Sequence, residues 1–321
     1  DDQSFGTDSD ESIIKCGTYA GNGSSGQIIN LGFEAQWLMI KSHTRGGAGY
    51  GWTMVDMMRD RALFADENGQ ESGVHGYIPS PNGIHLTNGD SNVNESGESY
   101  IYMAIRRPHK PPTAATEVFA VDYGNSSSTI PCWDSGFPVD LAFWTYWDRT
   151  YAKQALSRLT GTKYLYTNAT DAEANDPDLT WDSNLGWGKT WNTNTISWMF
   201  KRAPGFFDVV AYGPTAGGVV THSHNLGVVP ELMIFKSRSS VENWFTYHKD
   251  FASPAHHVLL NLANSISTNS GTLNNTAPTA SIFTVGNDNY SNGPSGQTYI
   301  ALLFATLPGI SKVGSYTGTG S

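Results

Sequence analysis

Among the side chains of this 321-residue chain, His222, His224, His256 and His257 come nearest to the spacing of a metal site. An HxH pair on a strand turns both imidazoles to one face, which is a workable start for zinc. No nearby cysteine completes a set, so a metal would need His pairs meeting on the axis of a symmetric fibre. The simpler expectation is no metal and no cofactor. Asp8 and Asp10 open like a calcium loop, but the glycine and the closing glutamate of that motif are missing at the required spacing. With Asp1, Asp2 and Glu11 they read as a solvated acidic tail.

Catalytic signals are equally thin. No GxSxG elbow presents a serine nucleophile. Asp140, Asp148, Glu173 and Asp182 are carboxylates of the right type for glycoside hydrolysis. That chemistry needs a pair about 5–10 Å apart, which sequence spacing alone does not supply. The expectation is a protein that is not an enzyme. Cys16 and Cys132 form neither a disulfide framework nor a CxxC motif. They read as free or buried thiols, with a single bridge between them left open.

The tryptophans are unevenly spread. Trp133, Trp144, Trp147, Trp181, Trp187, Trp191 and Trp198 place seven of the ten within one stretch of the chain. Trp144 and Trp198 lie on apolar runs and read as core. Trp133, Trp181, Trp187 and Trp191 stand beside Asp, Asn, Gly and Thr, in what read as loops. Residues 187–192 read as a polar hairpin tip, with Trp187 and Trp191 on one strand face. Three uses fit such residues: buried packing, a subunit interface or a glycan face. The expectation is that these four mark the main contact surface. Replacing Trp187 and Trp191 by alanine should then leave the fold intact and weaken assembly or adsorption.

The elements that must carry these residues are strands. Charged residues are only 15 % of the chain, against 34 glycines and 12 % aromatics. That profile suits short strands, tight turns and a filled core rather than disorder. The net charge of −10, without a basic cluster, argues against nucleic-acid and anionic-membrane partners. The longest apolar runs, such as residues 300–304, are far too short for membrane insertion.

A repeat organises the whole chain. Each copy opens with a Tyr/Gly strand around Tyr19, Tyr123 or Tyr212. It closes with an aromatic strand, near residues 99–105, 195–200 and 298–304. Apolar and Leu-bearing strands and a Gly-rich hairpin lie between. The expected fold class is all-β, made of tandem antiparallel β-sandwich (jelly-roll-like) repeats, with the three tyrosines at matching positions. The expected divisions are an acidic segment 1–15, repeats over 16–112, 113–204 (Trp-rich) and 205–309, and the start of a further repeat over 310–321. Residues 149–159 read as a loop insertion that could hold a helical turn. Short linkers imply closely packed repeats. The start at Asp1 and the repeated phrase at Gly314 suggest a processed or partial piece of something longer.

The phrases Gly17-Thr18-Tyr19, Leu31-Gly32-Phe33, residues 99–107, residues 201–210 and Gly314-Ser315-Tyr316-Thr317-Gly318 resemble a tandem-repeat domain of marine tailed-bacteriophage proteins. Those proteins are described as tail-fibre or virion structural proteins. The resemblance runs from about Lys15 onward and departs most in the second repeat. It implies a virion, hence extracellular, location and a structural or host-attachment role. Expected partners are other copies of the chain, other virion proteins and a host surface glycan. The resemblance carries no catalytic residues. Two rivals stand beside it: a bacterial surface adhesin or filament subunit, and a carbohydrate-active enzyme of the virion.

Overall fold

The computed structural model describes residues 13–47, 50–56, 61–72, 76–190, 192–213, 215, 217–294 and 296–319. Among them the regular structure is all strand, apart from 3-10 turns at Ala115–Glu117 and Arg158–Thr160. Every strand pairing is antiparallel. The chain forms two compact units, residues 1–108 and 109–321.

The first unit contains β1 (Ile14–Ala20), β2 (Gln27–Asn30), β3 (Ala35–Ser42), β4 (Thr53–Asp56), β5 (Ala62–Phe64), β6 (Tyr77–Ser80), β7 (Gly83–Leu86) and β8 (Ser99–Arg106). Its main sheet runs β1-β8-β3-β4-β5, and its minor sheet runs β2-β7-β6. Leu38, Ile40, Tyr100 and Ala104 of the main sheet share a core with Ile29, Ile84 and Leu86 of the minor one. Burial alternates along β3 and β8, because only one face of the main sheet meets this core.

The second unit holds two further copies. The middle copy comprises β9 (Phe119–Tyr123), β10 (Trp133–Asp134), β11 (Leu141–Tyr146), β12 (Gln154–Ser157), β13 (Lys163–Tyr166), β14 (Ala174–Asn175), β15 (Gly186–Trp187) and β16 (Thr195–Phe200). The last comprises β17 (Phe207–Tyr212), β18 (Val220–Ser223), β19 (Leu232–Ser237), β20 (Phe245–His248), β21 (His256–Leu259), β22 (Ser267–Thr268), β23 (Ile282–Val285) and β24 (Tyr299–Phe304). Their main sheets run β14-β13-β12-β11-β16-β9 and β17-β24-β19-β20-β21-β22, with minor sheets β10-β15 and β18-β23. In all three copies the opening strand pairs with the closing strand, which pairs with the third strand of the copy, and the two strands after that one follow in order across the sheet. This shared order establishes an all-β chain of tandem, similarly organised antiparallel sheets. Among the described residues no sheet closes on itself into a jelly roll.

The second unit differs from the first in having cores on both sides of its main sheets. One core lies against β10-β15, around Trp133, Trp144 and Trp187. Another lies against β18-β23, around Phe235, Phe283 and Tyr299. Between them a third core joins Leu141, Ala155 and Leu165 of the middle copy to Phe207, Val209, Ile234, Ile300 and Leu302 of the last. The two main sheets therefore face each other. This explains why β17 and β24 read as continuous apolar runs, buried along nearly their whole length.

Residues 149–159 are not an inserted loop, although the expected helical turn is present at their end as the 3-10 turn Arg158–Thr160. Gln154–Ser157 forms β12, paired with both β11 and β13 and buried throughout. The helix-favouring Ala155 and Leu156 are drawn into the sheet because they feed opposite cores. The three opening tyrosines do not all match. Tyr19 pairs with Tyr100 and Tyr212 with Tyr299, but Tyr123 pairs with Ile196 and is exposed. Gly124, whose amide donates to Thr195 O, takes the equivalent place in the middle copy.

Candidate functional site

The tryptophans expected to form a contact surface are core residues. Trp133 and Trp187 have no solvent exposure and Trp181 only 4 %. Trp187 stacks on Trp133 at 4.2 Å and on Trp181 at 5.7 Å between ring centroids. The Trp187 indole N–H donates to Ser197 Oγ and that of Trp181 to Gly161 O. Trp133, Trp181 and Trp187 thus offer neither a glycan face nor a subunit interface. Trp191 lies outside the described residues. Lys189 and Asn192, whose polarity suggested an exposed tip after Trp187, are themselves buried. Lys189 reaches Asp176 at 2.5 Å and Gln154 at 3.2 Å while standing over the Trp144 ring. Gly186 allows β15 to lie close on β10, since a Cβ there would sit 2.0 Å from Trp133 O.

The histidines are likewise engaged in packing. His222 packs at a tilt against Tyr212, and His257 stacks on Phe245. His224 is buried, with Nε2 at Thr279 O and Nδ1 accepting from Leu226 N. Burial lowers the pKa of both His224 and His257, which favours neutral rings. Among the described residues no group of three His, Cys, Asp or Glu could hold a metal ion. Cys16 and Cys132 are both free, the first exposed and the second buried. The acidic run Asp1–Glu11 lies outside the described residues. Among the described residues no helix is long and apolar enough to cross a membrane.

An open polar cleft of about 490 Å³ in the last copy is lined by Glu242, Asn269, Asn287, Asp288, Asn289 and Tyr290. Burial raises the Glu242 pKa. Asp288 is occupied by three donors: Asn269 Nδ2, Thr272 Oγ1 and Tyr290 N. The same turn recurs at Asp90, which accepts from Asn92 N. Asp288 is accordingly a turn former, and the cleft is built around a scaffold element of the repeat.

The four carboxylates singled out in the sequence do not converge. Asp140 is buried and accepts from Arg202 Nε at 3.0 Å and Arg202 N at 2.7 Å. The first copy has the same device, with Arg107 Nε 3.3 Å from Glu34. Asp148 pairs with exposed Arg149, and Asp182 lies in an exposed turn. Glu173 belongs to the seam between the second and third copies.

That seam is the most elaborated interaction surface in the chain. Beyond the shared apolar core, a loop of the middle copy reaches over the last one. Glu173 binds Arg238 through two bonds of 2.7 and 3.1 Å, and Glu173 N donates to Arg238 O. Thr170 O accepts from Lys236 Nζ and from Glu242 N. Trp244 donates its indole N–H to Tyr166 O at 2.9 Å. Lys236 has no solvent exposure, and burial depresses its pKa to about 8. The carbonyls of Thr170 and Ser237 satisfy its ammonium. A void of about 10 Å³ on the seam is at the lower limit for one water, so the two sheets are packed closely.

Sequence reasoning missed three devices. One is the arginine just after each of the first two closing strands, Arg107 and Arg202. The second is the seam clamp. The third is a buried asparagine ahead of each closing strand. Asn94 donates to Ser24 O, Asn192 to Ser127 O and Asn292 to Gly218 O, pinning the turn after the opening strand each time. The recurrence of an Arg shortly after the first two closing strands, and of an Asn shortly before each of the three, was the available signal.

These features define a scaffold of repeated antiparallel sheets whose best-developed surface joins one copy to the next. The chain matches the family described as a domain of unknown function, DUF7483, over residues 9–108 and 193–321, and it belongs to that family. The two matched stretches leave out 109–192, which includes the tryptophan core and the clamp loop of the middle copy. No curated protein and no solved structure matches the chain.

Proposed function

We propose that this chain is a virion structural protein, part of a tail fibre or other host-facing appendage, that acts by assembly and binding rather than by chemistry. On this reading each copy is a two-layer, jelly-roll-like sandwich that has given up closure to keep one sheet face for pairing. The observation that carries it is the seam: two main sheets bury a shared apolar core between their outer faces and are locked by Glu173–Arg238 and Lys236–Thr170. Joining repeats face to face through their main sheets makes a stiff body, which suits rigid display. The phrase-by-phrase resemblance to phage tail proteins supplies the setting. The acidic charge suits contact with proteins or neutral glycans better than with nucleic acid.

The test is mass spectrometry of particles purified from a culture producing this chain, with antibody labelling of intact particles. The expected result is the chain at fixed stoichiometry in the particles, with label on an appendage. A chain absent from particles and found on the bacterial envelope would support the adhesin reading instead.

A further inference from the structure

The first copy has the same sheet face that joins the other two, but among the described residues of its own unit no sheet lies over it. Cross-strand register gives the equivalences. Trp37 faces Ile105 as Leu232 faces Phe304, and Met39 faces Met103 as Ile234 faces Leu302. Cys16 faces Met103 as Val209 faces Leu302. The face is therefore apolar at each matched position. Cys16, Met103, Met39 and Met54 form one continuous row across four strands, which Leu63 extends to the fifth.

Burial separates the two faces sharply. Val209 and Leu302 are each 1 % exposed, whereas Ile14 is 54 % exposed and Cys16 is also open. Trp37, Met39, Met54, Met103 and Ile105 are only partly covered. A half-open sheet face rich in methionine and carrying a tryptophan is the composition of a contact surface rather than of a solvated one.

We propose that this face binds the same face of a second copy of the chain, so that two first repeats pair as the second and third repeats pair within one chain. The occupant follows from the molecule itself. Among the described residues, the cover this kind of face has is another face of the same kind, with matching strand order and apolar rows. A face that packs against its counterpart on another repeat suits an isologous two-fold contact between chains. Lys41 and Asp56 lie toward opposite ends of the face along the strand direction, at the Ile101 and Trp37 rows respectively. A two-fold axis that reverses the strands brings opposite charges together at both ends. The inference rests on the pairing of repeats and is independent of the particle in which the chain resides.

Light scattering coupled to size exclusion on the full chain, from about 1 to 100 µM, tests this by mass action. The expected result is twice the chain mass at the upper end. Met39→Glu with Met103→Glu should return the monomer with an unchanged circular dichroism spectrum. Should that pair unfold the protein, Met54→Gln with Met103→Gln keeps side-chain length without charge and should raise the dimer dissociation constant at least about tenfold. A wild-type monomer throughout overturns the proposal and leaves the face to another part of the chain or to a different protein. A dimer indifferent to the folded variants overturns it as well.

Discussion

Cys16 and Val209 hold the same place in their repeats, each three residues before a tyrosine that stacks on the closing strand, yet Cys16 is exposed and Val209 is buried. The backbone around them is the same; what differs is the sheet that lies over Val209. The third repeat shows the face closed, and the first shows it open.

The buried pair Asp140–Arg202 should be a major anchor of the middle repeat. Its side chains are 8 % and 1 % exposed. Arg202→Met strands a buried carboxylate and should lower the unfolding free energy by about 3–5 kcal/mol. Arg149→Met, at an exposed pair, should change it by less than about 1 kcal/mol. Urea denaturation measures both, and equal effects would remove the distinction.

Trp187 should behave as a core residue. Trp187→Ala removes a fully buried indole stacked on two others and should cost about 3–5 kcal/mol, with loss of near-ultraviolet dichroism. A folded variant of unchanged stability would contradict its placement.

Stability should fall at alkaline pH because of the stacked tyrosine pairs. Tyr19 lies 5.1 Å from Tyr100, and Tyr212 lies 5.5 Å from Tyr299. Burial raises all four phenol pKa values, that of Tyr100 to about 12. Above about pH 10 the unfolded chain loses phenolic protons that the folded chain keeps, so this contribution is full below that pH and declines above it. Lys236 acts in the opposite sense. Its folded pKa of about 8 leaves the unfolded chain the more protonated from there to its ordinary value, so it adds stability as pH rises through that window. Urea midpoints against pH should show the alkaline fall shallower in Tyr19→Phe with Tyr212→Phe. They should also show the contribution between pH 8 and about 10.4 missing in Lys236→Met. Unchanged pH profiles in both variants would contradict the assignment.

The fold class was legible because its signals are local. Alternation in residues 35–42 and 99–106 marks a sheet with one covered face, and the recurring Tyr/Gly opening marks the repeat. The candidate site was misread for a physical reason. Trp187, Lys189 and Asn192 look like an exposed tip because lysine and asparagine are usually wet. Here Asp176, Gln154 and the Ser127 carbonyl satisfy them internally. The shift from Tyr123 to Gly124 was hidden because one residue of register reverses the face while the composition stays the same. The seam was invisible in sequence because Thr170, Glu173, Lys236 and Arg238 meet only through tertiary pairing.

The open face of the first repeat is tested most directly by the alkylation rate of Cys16. It is the exposed thiol of the two, and Cys132 is buried, so one rate is read. If two copies pair through this face, the rate should drop at least about tenfold between 1 and 100 µM chain and recover on dilution. It should stay fast at both concentrations in Met39→Glu with Met103→Glu. A wild-type rate that is the same at both concentrations would contradict the pairing.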